Sequence, residues 1–185
     1  MVYLFLADGF EEIEALTPVD LLRRAGVEVI TVGVTGKTVT GSHGITTTAD
    51  CEAEEALAML QSGKVPEMIV LPGGMPGAAT LDASPVVDAF VDAAENSGAY
   101  IAAICAAPMI LGKRGLLRGK RATCFPGFEN ELDGAKVVEY GVMGDGMIVT
   151  AKGAGVAWEF GAAICSRITG EQKALDILEA IQWRK

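Results

Sequence analysis

The chain alternates between short apolar runs and longer segments in which apolar residues recur every three or four positions. The short runs are rich in β-branched residues and predict buried strands. Gly-rich stretches at Gly36–Gly44 and Gly144–Gly146 predict hairpins that lead into two of these strands. The predicted strands are Val2–Ala7, Val27–Val34, Ile45–Thr48, Met68–Leu71, Ala99–Ile104, Ala122–Phe125, Val137–Val142 and Met147–Ala151.

Helix signals fill the segments between these strands. Thr17 followed by Pro18 predicts a helix that starts with threonine as the N-cap, and Gly26 predicts its end. Ser84-Pro85 predicts another helix start, and Gly98 its C-terminus. Further helix signals are Asp50 as an N-cap, a turn over Ala107–Gly112, the spacing of Val156, Phe160 and Ile164, and the spacing of Ala174, Leu178 and Ile181.

Strands that alternate with helices imply right-handed βαβ units. The expected fold is therefore α/β, with a mostly parallel sheet and helices on both faces, and 185 residues favour one domain over 1–185. Ligands bind such sheets beyond the carboxyl ends of the strands. Residues with possible chemistry follow three predicted strands, at Gly9–Glu14, Pro72–Gly77 and Cys105–Pro108.

Charge and cysteine usage exclude several classes of function. The 24 acidic and 15 basic residues give a net charge of −9, which argues against nucleic acid as the main partner. The longest apolar run, Tyr100–Leu111, contains a proline and is shorter than the ~20 residues of a membrane span. Without a basic residue before the first apolar stretch, a secretory signal is not expected, and the predicted location is the cytoplasm. No C-x-x-C occurs, so free thiols and no metal site are expected.

Cys105 is the strongest candidate for chemistry. It stands between a predicted strand and a predicted helix turn, where a side chain is lifted out of the sheet as in a nucleophile elbow. A helix N-terminus is expected to lower the thiol pKa from ~8.5. The alternative is a buried core thiol, and position alone does not separate the two. The other cysteines are expected to be structural, with Cys51 a modest oxidation candidate; they are Cys51, Cys124 and Cys165.

Acidic residues and glycines accompany this cysteine along the predicted sheet edge. Ile13 is expected to point inward, so one acid among Glu11–Glu14 is expected to turn toward the edge and hold a proton there. The spacing does not say which acid does so. Gly73 and Gly74 directly follow a predicted strand. Their bare backbone N–H groups could bind an oxyanion; the alternative is that the glycines only allow a tight turn. Gly153–Gly155 is interpreted as close packing.

Four stretches occur in an order that covers nearly the whole chain: DGFEEIEALTPVDLLRRAG, VLPGGMPGA, IAAICAAP and TAKGAGVAWEF. In this combination the chain resembles the ThiJ/PfpI superfamily, most closely its parkinsonism-associated branch. The resemblance implies a flavodoxin-like three-layer sandwich that forms a homodimer. It also implies that Cys105 is the oxidation-prone nucleophile and that Glu14 is the protonated carboxyl that hydrogen-bonds its sulfur.

The resemblance assigns further positions. The backbone N–H groups of Gly74 and Ala106 are implied to bind an anion, with Gly73 and Phe125 near the pocket. The chain departs from the pattern twice, because Ala106 replaces the histidine of the protease-like branch and Phe125 replaces a histidine of many close relatives. His43, the single histidine, is expected on the surface; relatives have a polar residue near the dimer interface there, so it could reach a partner subunit's pocket.

The function implied by the resemblance is a cysteine-dependent glyoxalase or deglycase that acts on methylglyoxal or its adducts. It needs no cofactor, metal or membrane. One alternative is a redox sensor or chaperone that works through a sulfinate on Cys105, and another is an intracellular amidase or protease. The first two use the same residues, so the sequence does not separate them. The acidic composition favours a small or neutral substrate, such as an aldehyde or a glycated compound.

Overall fold

A computed structural model describes residues 1–183 of the protein. The strands are β1 (Val2–Leu6), β2 (Val29–Gly33), β3 (Thr38–Thr40), β4 (Thr46–Thr48), β5 (Cys51–Glu52), β6 (Met68–Leu71), β7 (Tyr100–Ile104), β8 (Arg121–Ala122), β9 (Lys136–Val137), β10 (Val142–Asp145) and β11 (Ile148–Ala151). The α-helices are α1 (Glu12–Arg24), α2 (Ala53–Gln61), α3 (Gly77–Asp82), α4 (Pro85–Ser97), α5 (Pro108–Lys113), α6 (Ala157–Thr169) and α7 (Glu171–Ala180). Short 3-10 helices occupy Glu129–Glu131 and Ala154–Val156.

The main sheet has seven strands in the order β10-β11-β7-β6-β1-β2-β5. Its neighbouring strands are parallel except for β10, which forms an antiparallel hairpin with β11. The predicted early hairpin is also present, as the antiparallel pair β3 and β4. The predicted α/β class with a mostly parallel sheet is therefore confirmed.

Side chains of β1 alternate between two hydrophobic cores, one on each face of the sheet. Tyr3 and Phe5 point to one face, where both rings contact Phe90 of α4 at centroid distances of 4.7 and 5.1 Å. Leu4 and Leu6 point to the other face and join the core that contains residues of α1 and α6. Both faces of the sheet are thus covered, and none of the helices within 1–183 is long and apolar enough to cross a membrane.

Helix α1 begins earlier than predicted, and this difference matters for the site. The predicted cap at Thr17 is wrong: Glu11 is the N-cap, and its carboxylate accepts a hydrogen bond from the Glu14 N–H at 2.7 Å. Pro18 lies inside the helix, where it removes only one backbone donor. Glutamates in the first turn favour this start because they face the positive end of the helix dipole. Glu14 therefore lies on a helix rather than in a loop.

Other boundaries confirm or correct the sequence predictions. Ser84 caps α4 and Gly98 ends it in the left-handed conformation, both as predicted. Asp50 does not cap α2, because its carboxylate accepts a hydrogen bond from the Thr31 N–H at 2.8 Å, and Glu52 caps that helix instead. Helix α3 was not predicted. The predicted strand Val137–Val142 is divided between β9 and β10.

The order of the strands places a topological switch point beside β1. From β1 the chain builds outward through β2 to β5, and then crosses to β6 on the other side of β1. A crevice forms at the carboxyl ends of the strands where the direction of winding reverses. The segments that follow β1, β6 and β7 meet at this crevice, and they contain the three sets of residues that the sequence singled out.

Candidate active site

Cys105 directly follows β7 and has a φ of 66°, which is rare for a residue other than glycine. Two backbone hydrogen bonds hold this conformation. The Cys105 N–H donates to the Ala151 carbonyl at 2.9 Å, and the Cys105 carbonyl accepts from the Phe125 N–H at 2.8 Å. The turn lifts the thiol out of the sheet and leaves it partly exposed. The other three cysteines are buried.

Glu14 lies in the first turn of α1 and is almost fully buried. Its Oε2 atom accepts a hydrogen bond from the Gly73 N–H at 3.0 Å, and the Ala154 N–H also donates to this carboxylate. A Cβ atom on Gly73 would lie 2.5 Å from the Cys105 Cβ and 2.6 Å from the Glu14 Oε2. Only glycine at position 73 therefore allows the carboxyl group to reach the cysteine.

Burial and mutual interaction perturb the pKa values of both groups. Burial raises the pKa of Glu14 to about 7, even though a hydrogen bond to Cys105 acts in the opposite direction. Burial, together with the charge of Glu14 and its hydrogen bond, raises the pKa of Cys105 to about 12. The predicted lowering of the thiol pKa is wrong, because burial and the facing carboxylate outweigh the backbone donors near the sulfur. The two groups consequently share one proton over a wide pH range.

Two backbone N–H groups point at the Cys105 sulfur, and they belong to Gly74 and Ala106. Gly74 has a φ of 85° and packs closely on the backbone that follows β1, with no room for a side chain. The Glu11 N–H donates to the Gly73 carbonyl at 3.0 Å, which joins the segment after β1 to the segment after β6. These donors can stabilise negative charge on sulfur or on an oxygen bonded near it.

A cavity of about 350 Å³ is lined by Phe125, Pro126 and residues 152–156. A Cβ on Gly153, which lines this cavity, would lie 3.7 Å from the Glu14 Oε1 and 3.2 Å from the Phe125 ring. Phe125 lines the cavity and is 47% exposed. Gly153 is closely packed, as the sequence indicates, whereas Gly155 has open space around it and lines the cavity. The small residues that directly follow β11 could have indicated this cavity, because small side chains leave space at the carboxyl end of the sheet.

His43 interacts with a different acid. Its Nδ1 lies 2.8 Å from the Glu12 Oε2, and its backbone N–H donates to the Glu12 Oε1 at 2.8 Å. Although burial acts to raise it, hydrogen bonds from His43 and neighbouring backbone lower the pKa of Glu12 to about 2. The hydrogen bond with Glu12 in turn raises the pKa of His43. His43 is thus held beside Glu12 rather than Cys105.

Within residues 1–183, one group of side chains has the spacing to hold a metal ion. Ligand atoms of Glu11, Glu12 and His43 lie within 4.8 Å of one another. Glu11 caps α1 and Glu12 holds His43, so these carboxylates already have partners in the protein. Ile13 beside them is 51% exposed, so the expectation that it points inward is wrong.

Comparison with known proteins identifies the family. The model of the DJ-1/PfpI family matches residues 1–167. The chain belongs to the DJ-1/PfpI family. Protein dj-1beta of Drosophila melanogaster is 34% identical over 179 residues, which cover 95% of this chain and 93% of that protein. Protein DJ-1 homolog B of Arabidopsis thaliana is 37% identical over 175 residues, and the match covers 93% of this chain but only 39% of that protein.

One family member has a more specific name. The "Glutathione-independent glyoxalase DJR-1.2" of Caenorhabditis elegans is 29% identical, over 92% of this chain and 89% of that protein. Solved structures agree with the fold. A DJ-1 superfamily protein from Salmonella typhimurium superimposes with a TM-score of 0.91 at 32% identity, covering 100% and 98% of the two chains. Oxidized DJ-1 from Toxoplasma gondii gives 0.92 at 31% identity, with the same coverage.

Proposed function

We propose that this protein is a cofactor-independent glyoxalase that uses Cys105 as its nucleophile and acts on methylglyoxal or its adducts. One observation carries the proposal: the buried Glu14 carboxyl meets Cys105 across Gly73, where the segments that follow β1, β6 and β7 come together. A thiol and a carboxyl group that share one proton can add to a carbonyl and then move protons on the adduct. The name of the C. elegans relative supports the same chemistry.

The first step is addition of the thiol to the aldehyde. A bond forms between the Cys105 sulfur and the aldehyde carbon while Glu14 accepts the thiol proton. The carbonyl oxygen gains negative charge and is stabilised by the N–H groups of Gly74 and Ala106. Glu14 then returns its proton to this oxygen, which gives a hemithioacetal.

The second stage is an internal redox reaction. Glu14 removes the proton from the former aldehyde carbon, and an enediol forms across the two oxidised carbons. Return of the proton to the neighbouring carbon gives a thioester, in which one carbon has been oxidised and the other reduced. Water then hydrolyses the thioester to lactate and restores the Cys105 thiol. Methylglyoxal plus water thus becomes lactate with no external oxidant or reductant.

Lactate formation from methylglyoxal tests this proposal. The wild type should form lactate, and Cys105→Ala should lose this activity. Cys51→Ala should retain it, because Cys51 is a buried thiol on the edge strand β5, away from the crevice. Circular dichroism confirms that each variant is folded. Lactate formation that survives Cys105→Ala, or a folded wild type that forms none, would reject the proposal.

Redox sensing is the second candidate function, and it rests on the exposure of Cys105 compared with the other thiols. Two equivalents of peroxide would convert its thiol to a sulfinate, with the donors of Gly74 and Ala106 and a protonated Glu14 available as partners. Mass spectrometry after mild peroxide should find two added oxygens on Cys105 alone. Equal oxidation of all four cysteines would refute this candidate. An amidase gains no support, because His43 hydrogen-bonds to Glu12.

We also propose that the protein forms a homodimer in the cytoplasm, with the surface around His43 in the interface. Ile13 and Ile45 flank His43 and are 51% and 56% exposed, which is apolar area that a second subunit would cover. Sedimentation should find a dimer for the wild type and a monomer for Ile13→Glu combined with Ile45→Glu. A monomeric wild type at micromolar concentration would contradict this assembly.

A further inference from the structure

Three hydrogen bonds join Glu11, Gly73 and Glu14 into a closed ring beside Cys105. The Glu11 N–H donates to the Gly73 carbonyl at 3.0 Å, and the Gly73 N–H donates to the Glu14 Oε2 at 3.0 Å. The Glu14 N–H in turn donates to the Glu11 Oε2 at 2.7 Å. Glu14 contributes both its backbone and its carboxyl group to this ring. The ring therefore fixes the direction in which the acid points toward the cysteine.

Glu11 also places a second carboxylate close to the Glu14 carboxyl group. The Glu11 side chain is only 13% exposed, so water and salt screen its charge less than the charge of a surface acid. Burial is the main cause of the raised pKa of Glu14, and the negative charge of Glu11 acts in the same direction. Two like charges at close range favour the protonated form of one of the groups. Glu11 thus opposes the loss of the Glu14 proton.

Other titratable groups face the two acids from opposite sides. On the outer side, the His43 Nδ1 lies 3.9 Å from the Glu11 Oε1 but only 2.8 Å from the Glu12 Oε2. On the inner side, Glu14 hydrogen-bonds Cys105, and its other hydrogen bonds come from backbone N–H groups. Glu12 is therefore the main partner of His43, and the charge of Glu11 is left to act on Glu14.

We propose that Glu11 is a positioning residue of the site, which aims the Glu14 carboxyl at Cys105 through the ring and helps to keep the proton on Glu14 through its own charge. Glu11 acts only through Glu14. It sets the pH at which the thiol gains a base in contact. The effect of Glu11 on turnover rests on the proposed function, but its effect on the reactivity of the thiol does not.

The pH dependence of Cys105 alkylation tests this role without turnover. Glu11→Gln and Glu11→Ser keep an oxygen that can accept from the Glu14 N–H, but both remove the charge. In these variants the inflection of the iodoacetamide rate should move from near pH 7 to roughly one pH unit lower. The rate at pH 6 should then rise about five-fold, while the rate at pH 8 should change little. Peptide mapping by mass spectrometry follows Cys105 alone.

Two control variants separate the charge of Glu11 from a purely structural role. Glu11→Asp keeps both the charge and the helix cap, so it should retain the wild-type inflection. Asp20→Asn removes an exposed carboxylate farther along α1 and should retain it as well. Circular dichroism confirms that each variant is folded. An inflection that stays near pH 7 in Glu11→Gln and Glu11→Ser, or that moves equally in Glu11→Asp, would overturn the proposal.

Lactate formation from methylglyoxal then separates this role from the identity of the reaction. The acid limb of the kcat profile of Glu11→Gln should move to lower pH by the same amount as the alkylation inflection, with KM nearly unchanged. An alkylation inflection that moves while neither wild type nor variant forms lactate would support the role of Glu11 and reject the glyoxalase function. An acid limb that stays in place in an active variant would count against the role of Glu11.

Discussion

The shared proton of Cys105 and Glu14 predicts how the reactivity of the thiol depends on pH. Below pH 7 both groups hold a proton, and neither is a nucleophile or a base. Because the pKa of Glu14 is about 7, loss of one proton there gives the singly protonated pair, in which the thiol has a base in contact. The reactive fraction rises from about 9% at pH 6 to about 91% at pH 8, so the alkylation rate should rise about ten-fold and then level off.

Glu14→Gln is the perturbation that isolates this effect, because the amide keeps the shape of the carboxyl group and cannot take the proton. The thiol must then lose its proton to water, so its rate should show no inflection near pH 7 and should still be rising at pH 9. The assay is iodoacetamide labelling of Cys105 between pH 5 and pH 10, with an unfolded sample as the reference for an ordinary thiol. An inflection near pH 7 that persists in Glu14→Gln would refute the reasoning.

Three further predictions concern stability. Burial raises the pKa of Glu14 from 4.5 to about 7, so the folded state binds this proton more tightly than the unfolded state. The resulting contribution to stability is complete below pH 4.5 and is lost as the pH rises through 7. Urea unfolding at pH 8 should therefore find Glu14→Gln more stable than wild type by up to roughly 3 kcal/mol, with no such gain at pH 4; a less stable variant at pH 8 would contradict this. The pKa of Glu12 is lowered to about 2, so its effect on stability has the opposite dependence on pH. The stability advantage of wild type over Glu12→Gln should be complete above pH 4.5 and lost as the pH falls through 2. A constant difference across that range would argue against it. Gly73→Ala should cost about 1–3 kcal/mol and abolish the fast alkylation of Cys105, whereas Gly155→Ala, which adds a methyl group in open space, should unfold like the wild type. Equal behaviour of the two alanine variants would show that the close approach at position 73 does not matter.

Much of the fold could be predicted because local signals and burial agree. Ser84-Pro85 and Gly98 marked the two ends of α4, and the apolar run Met68–Leu71 marked β6 to the residue. Such features depend on backbone preferences and on whether a segment faces one core or two. Both are encoded within a few neighbouring residues.

The start of α1 could not be predicted because a stronger signal competed with the real one. Thr17-Pro18 is a common cap, whereas glutamate caps helices less often than threonine or aspartate. Glu11 nevertheless serves, because its carboxylate reaches the Glu14 N–H and the following turn packs Ala15 and Val19 into the core. Tertiary packing thus outweighed the local signal, as it did where Asp50 accepts from Thr31 instead of capping α2.

The sequence indicated the residues of the candidate site, but not their electrostatics. The strand-to-helix corner indicated Cys105, while the choice of Glu14 among neighbouring acids came only from family resemblance. The raised thiol pKa could not be foreseen, because it depends on burial in the folded protein and on a carboxylate that approaches across Gly73.

The central claim is that Glu14 moves the protons of a reaction at Cys105, and the most direct test is the steady-state rate of lactate formation from methylglyoxal by wild type and Glu14→Gln. The side chains have the same shape, so KM should change little. Loss of the proton carrier should lower kcat at least about 100-fold at pH 8. A folded Glu14→Gln protein whose kcat lies within two-fold of the wild type would contradict the account.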